Sequence, residues 1–177
     1  MTICPVPTRF RTLMLAVAAG AMFTTARVSS AETVRYPTDG PVFSFELPAN
    51  WITNQKSPAV FQCVLKGSGG NIGMTVETLA QPCTNEAFAT ILPKVAAGSL
   101  EKMGGTEVEV GEAEESNGGM LCEVTAKIGG KPVVIRFFGF TPAPGKTFIL
   151  QSFYPADTKA ETNMAVAEKL LNSVKPL

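Results

Sequence analysis

The stretch Phe43-Ser44-Phe45-Glu46-Leu47-Pro48-Ala49-Asn50-Trp51 decides how this chain is laid out. Phe43, Phe45 and Leu47 alternate with Ser44 and Glu46, the period of two expected of a strand with one buried face. Pro48 carries no backbone N–H and ends the pairing. Ala49-Asn50 turns the chain into Trp51, its only tryptophan. An aromatic residue just past a strand end either covers the edge of the core or anchors a partner.

Upstream, Arg9 and Arg11 precede the apolar run Leu13–Phe23, and Ser29-Ser30-Ala31 places small residues ahead of Glu32. This is the pattern of a secretory signal peptide over residues 1–31, leaving one domain over 32–177 and a periplasmic or secreted location. The apolar run is shorter than the ~20 residues a spanning helix needs, and no membrane span is expected after cleavage. Cys4 precedes the apolar run, so it is not a lipoprotein cysteine. Removing 1–31 takes Arg9, Arg11 and Arg27 and no acid from the 15 basic and 15 acidic residues, leaving a net charge of −3. A mildly acidic domain is a poor match for nucleic acid or an anionic membrane. Export implies an oxidising compartment. Cys63, Cys83 and Cys122 then allow one bridge and a free thiol, or an intermolecular bond. None of their spacings is a CxxC redox or zinc motif.

Downstream, Glu32 to Pro41 reads as a polar, loosely held terminus and Asn54 to Pro58 as a loop. Val60–Lys66 and Ile72–Glu77 form a hairpin about Gly67-Ser68-Gly69-Gly70, which lacks the lysine and hydroxyl of a phosphate-binding loop. Thr84 or Asn85 caps a helix with Glu86 in its first turn. Phe88, Ile91, Leu92, Val95 and Met103 keep helical spacing. Pro93 predicts a kink or two abutting pieces, and Gly104-Gly105 ends the run. From Thr106 to Glu115, Glu107, Glu109 and Glu112 accompany Val108 and Val110, with Glu114 and Glu115 behind them. This is either an acidic face for a basic partner or the solvated flank of an edge strand, where charge discourages aggregation. After Asn117-Gly118-Gly119, Met120–Ile128 alternates. Val133–Phe140 is apolar on both faces and is expected to lie centrally, with Arg136 its one charge. A last strand, Phe148–Tyr154, leads to a capping box at Thr158 and Glu161. Met164, Ala167, Leu170, Leu171 and Val174 then form one apolar helical stripe, with Glu168 outside it.

Three strands, a helix, four strands and a helix, joined by tight turns, predict an α+β fold: an antiparallel sheet with a helix on each face. Phe-Ser-Phe-Glu-Leu-Pro-Ala-Asn-Trp at 43–51 resembles the opening of PsbP-like and DcrB-like proteins. The final strand and the helix ending in Leu170-Leu171-Asn172-Ser173-Val174 resemble that group too. The resemblance implies an α/β/α sandwich and members that mostly bind other proteins rather than catalyse. No ligand or contact residue carries over. Within that layout the residue before the first helix and the start of the fifth strand share one edge of the sheet. This favours a Cys83–Cys122 bridge and leaves Cys63 as a buried thiol beside Phe61 and Leu65.

The chain contains no histidine. Serine and cysteine triads and the usual base at neutral pH are therefore missing. Ser152 with Lys146 is a serine–lysine pair by default only, and charges alternating along one exposed strand do not frame the cleft of a glycosidase. No catalytic residue, cofactor or metal site is expected. Trp51, Arg136 and Tyr154 are the candidate partner-binding residues. Arg136, in the most apolar strand, is expected to pair with a carboxylate such as Glu123. The expected function is an exported, non-enzymatic protein-binding or envelope-assembly module. The alternative is an inhibitor or immunity-type protein that meets a basic enzyme through Glu107, Glu109 and Glu112.

Overall fold

Two tight turns fix the register of the central sheet. Gly129 and Gly130 both have positive φ, 57° and 77°, the backbone of a two-residue hairpin whose twist matches its strands. They join strand β7 (Gly119–Ile128) to β8 (Lys131–Ala143), with Ile128 opposite Lys131. Asn117 and Gly118 do the same, at 47° and 77°, between β6 (Thr106–Ser116) and β7. A computed structural model describes residues 31–57, 59–157 and 159–177. The expected signal peptide and Thr158 of the expected capping box lie outside the described residues.

The remaining strands of this sheet are β3 (Trp51–Ser57), β4 (Val60–Leu65), β5 (Gly73–Leu79) and β9 (Lys146–Pro155). They lie in the order β3-β4-β5-β9-β8-β7-β6, antiparallel throughout. The apolar β8 and the neighbouring β9 are central, as their composition requires. Helix α1 (Asn85–Lys102) packs on one face through Phe88, Ile91, Leu92, Val95 and Leu100. Thr84 caps it, its Oγ1 accepting from the Ala87 N–H at 3.2 Å. At its C-terminus the Gly105 N–H donates to the Leu100 carbonyl at 2.8 Å. The helix runs unbroken through Pro93. Two separate pieces were not needed, because burial of five large side chains on one face outweighs one lost backbone hydrogen bond.

Helix α2 (Ala160–Asn172) lies on the other face and buries Ala167, Leu170 and Leu171. A helix is about 10–12 Å wide, and seven strands about 4.8 Å apart span roughly 30 Å, so one helix leaves much of that face open. A second, three-stranded sheet fills it: β1 (Glu32–Tyr36), β2 (Phe43–Leu47) and β10 (Lys175–Pro176), in the order β1-β2-β10. Phe43–Leu47 of the opening stretch is therefore the middle strand of this cover rather than the first strand of the central sheet, which Trp51 begins. Its Phe43 and Phe45 are fully buried and meet Phe61, Phe140 and Phe148 beneath them. The Glu46 N–H donates to Ser173 Oγ at 2.9 Å, tying the small sheet to the end of α2.

Among the described residues five strands, not three, precede α1. The polar start of the domain is β1, because Val34 and Tyr36 stand opposite Phe45 and Phe43 and share their buried face. Only one residue in that segment is fully buried, too few to show an alternation. The expected loop at Asn54 belongs to β3, an edge strand whose Thr53, Asn54 and Gln55 are exposed.

The expected Cys83–Cys122 bridge is not formed, and Cys63 and Cys122 are free thiols. Cys83 is at the correct edge, its carbonyl accepting from Thr141 Oγ1 at 2.8 Å. Cys122, however, lies opposite Phe137, four residues further along β8 and one strand over. At ~3.3 Å per residue, that is beyond the ~7 Å Cα separation a disulfide spans. Cys63 sits in the core as expected. Burial pushes its thiol far above the usual range, against a backbone hydrogen bond from Met74 that lowers it; burial also raises Cys122. Both thiols should resist alkylation in the folded protein and react once it is unfolded without reductant. Mass mapping that finds Cys122 unlabelled after unfolding would restore the bridge.

Candidate functional site

The register set at Gly129-Gly130 places Glu123 directly opposite Arg136, five residues out on each strand. Cross-strand pairs share a face, so Leu121 with Phe138 and Glu123 with Arg136 point toward α2. From α2, Glu168, Leu171 and Asn172 return to the same place, since residues three and four apart lie on one side of a helix. The Asn117-Gly118 turn closes the end: Asn117 Nδ2 donates to Asn172 Oδ1 at 3.2 Å. Arg136, Leu121, Phe138, Glu168, Leu171, Asn172 and Asn117, with Ser116, line a pocket of about 230 Å³; Glu123 is paired to its arginine without lining it.

Arg136 Nε donates to Glu123 Oε2 at 2.6 Å and Nη1 to Glu168 Oε1 at 2.8 Å. The arginine side chain is 13% exposed, the two glutamates 45% and 41%. Desolvation by itself would lower the arginine pKa. The hydrogen bonds it donates to Glu168 and Glu123 outweigh it, and the group stays charged. Each carboxylate uses one oxygen on Arg136. The other oxygens, Glu123 Oε1 and Glu168 Oε2, have no hydrogen-bond partner among the described residues. Leu121, Phe138 and Leu171 supply apolar walls.

Arg136 thus pairs with Glu123, as its isolation in an apolar strand predicted. Tyr154 is in the core, 3% exposed, one strand over and near Arg136. Burial raises its phenol, and the arginine pulls it the other way. Trp51 is also core, 7% exposed, on the edge strand β3. Four strand spacings of about 4.8 Å separate it from β8, so it anchors nothing at this pocket. Among the described residues its Nε1 is buried without a hydrogen-bond partner, as is Ser152 Oγ, which lies beside Arg136 on β9. Lys146 stands at the far end of β9, six residues from Ser152 and exposed, so the serine–lysine pair is not assembled. Glu107, Glu109 and Glu112 lie exposed on β6, an edge strand of the central sheet. Glu107 is held by Lys127 at 2.7 Å. Two register shifts interrupt the pairing of β6 with β7, and bulges and charge are how edges resist further strands.

Glu168, Asn117, Asn172, Leu121, Phe138 and Leu171 were not singled out by sequence. A signal for Asn117 was present, since Asn-Gly is the strongest short hairpin cue. Glu168 had none, for it appears as one more polar residue on the outer side of a helix.

The backbone arrangement identifies the architecture. The solution structure of cyanobacterial PsbP from Synechocystis sp. PCC 6803 matches 90% of this chain and 98% of its own, with a TM-score of 0.57 at 16% identity. The chain has a PsbP-like fold. The Ran-binding protein Mog1p of Saccharomyces cerevisiae matches 82% of this chain and 96% of its own (TM-score 0.55, 13% identity). LpqN of Mycobacterium tuberculosis, described as involved in cell envelope biogenesis, matches 83% and 90% (TM-score 0.51, 15% identity). No protein-family model matches the chain, and no curated protein matches it in sequence. At these identities the PsbP-like likeness is one of fold, an antiparallel sheet between helices as expected from residues 43–51.

One further carboxyl stands out, on the opposite face from the pocket. Glu77 of β5 is flanked by Val60 and Ile149, and burial raises its pKa above 4.5. A raised folded-state pKa favours the protonated form on folding. Its contribution is full below the unfolded pKa and is lost as pH rises through the folded one. Glu77→Gln should therefore raise the Tm at neutral pH and flatten the loss of stability above pH ~4.5. Thermal melts at several pH values would show it; equal pH dependence in both proteins would place the carboxyl in water.

Proposed function

We propose that this PsbP-like chain is an exported, non-enzymatic module that binds another protein in the assembly or maintenance of the cell envelope. The observation that carries the reading is the pocket between α2, β7 and β8. Its one cation is already held by two carboxylates, and its other polar groups are amides and a hydroxyl. A general acid or base works when its pKa is poised near the operating pH; a fully paired arginine suits recognition instead. The names of two fold relatives, one Ran-binding and one in envelope biogenesis, agree with this reading, and the pattern over residues 1–31 agrees with export.

The test is site-specific photo-cross-linking of the full chain in its own envelope fraction. A cross-linker at Asn172, at the pocket, is compared with one at Lys94, exposed on α1. The expected result is a discrete protein adduct from position 172 and none from 94. No adduct, or the same adducts from both, would end the reading. A second reading, an inhibitor of a basic enzyme, is favoured by the exposed glutamates of β6. It requires that neutralising Glu107, Glu109 and Glu112 abolish a salt-sensitive complex.

A further inference from the structure

We propose that the pocket receives one basic side chain, an arginine or a lysine, from the protein partner. This rests on the protein-binding reading and specifies what the partner must present. Size is the first argument. Pockets for drug-sized ligands run ~300–1,000 Å³, and this one is about 230 Å³, which suits a single side chain. Charge is the second. Glu168 lines the pocket, Glu123 is paired to its Arg136, and Glu114, outside the lining, stands directly opposite Leu121 on the same face. Among the described residues Arg136 is the cation of the lining, and with Glu123 and Glu168 both engaged on it the three groups together carry one net negative charge.

Hydrogen-bonding capacity points the same way. Among the described residues Glu168 Oε2 is an unused acceptor, and Asn117, donating through Nδ2 to Asn172, has no partner on its own amide oxygen. A guanidinium brings five donors and no acceptor, and an ammonium three. The walls fit as well. Leu121, Phe138 and Leu171 offer apolar surface to the methylene stem that lysine and arginine lay along such surfaces, leaving the charged head among the polar groups.

The experiment is a titration of the 15N-labelled chain with capped Gly-Arg-Gly, Gly-Lys-Gly, Gly-citrulline-Gly and Gly-Glu-Gly tripeptides, read from backbone and side-chain amides. The arginine peptide should shift the Asn117 and Asn172 amides saturably. It should bind at least ~10-fold more tightly than its citrulline counterpart, the scale expected of a charge-assisted hydrogen bond. Glu168→Gln should remove most of that preference. Asn117→Gly, which tolerates the positive φ, should weaken binding without unfolding the turn, and Glu107→Gln should change nothing. Equal binding of arginine and citrulline peptides, tighter binding of the glutamate peptide, or shifts along β6 instead of the pocket would each overturn the proposal. A cross-linked partner that engages position 172 through a segment without Lys or Arg would overturn it while leaving the protein-binding reading intact. A pocket preference for arginine with no protein adduct would sustain the basic specificity and overturn that reading.

Discussion

Replacing Phe43 with alanine should lower the unfolding free energy by about 4 kcal/mol, as for other fully buried phenylalanines. Phe43 has no exposed surface. Its ring centroid lies 4.9 Å from that of Phe148 and 5.0 Å from that of Phe140, both on the central sheet, and 5.7 Å from Tyr36 of β1. With Phe45 and Tyr36, it fastens the small sheet to the large one. The ring takes dispersion and transfer energy from both layers, and closely packed neighbours cannot collapse into the space it leaves. Equilibrium urea unfolding followed by fluorescence of Trp51, buried in the same cluster, measures the loss directly. A cost below ~1 kcal/mol would be that of a surface substitution, and would mean that β1 and β2 are a loosely attached flap. Phe45→Ala should behave alike, because Phe45 is equally buried and faces Phe61.

That prediction turns on where the opening strand sits, which its own residues do not disclose. The alternation of Phe43, Phe45 and Leu47 with Ser44 and Glu46 shows a strand with one buried face, and the structure agrees. An alternation says nothing about which sheet a strand joins. Here the choice follows from the width of the central sheet and from Val34 and Tyr36, whose pairing with β2 leaves little mark in a polar segment. The same reasoning separates the two carboxylates at Arg136. Glu123 was legible because a two-glycine turn fixes the count along both strands. Glu168 was not, because its place depends on where α2 lies across the sheet. The acidic strand was legible as an edge, since a strand with glutamates along it cannot be covered. The cysteine pairing failed one level higher: both residues were assigned to the correct end of the sheet, but an end is wider than a disulfide.

The second large effect concerns Arg136. Glu123→Gln with Glu168→Gln should destabilise the protein by about 2 kcal/mol, below the 3–5 kcal/mol of a fully buried broken pair because the pocket admits water. The two carboxylates are what hold a charge on a side chain only 13% exposed. With neutral amides in their place the arginine keeps hydrogen bonds but loses its counter-charges. Arg136→Met should cost under ~1 kcal/mol, since a thioether of similar length keeps the packing against Phe138 and both glutamates, 45% and 41% exposed, turn to solvent. Thermal and urea unfolding of the three proteins decides the order. If methionine costs more than the double amide, the cluster is a structural brace and the pocket loses its standing as a recognition site. If methionine is nearly free, the three charges add little to folding, and their arrangement is to be explained by what enters the pocket. The arginine then has a definite task. By holding Glu168 through one oxygen, it fixes the second as an acceptor in the pocket, so that the proposed basic side chain would meet a preformed site and lose less conformational freedom on binding.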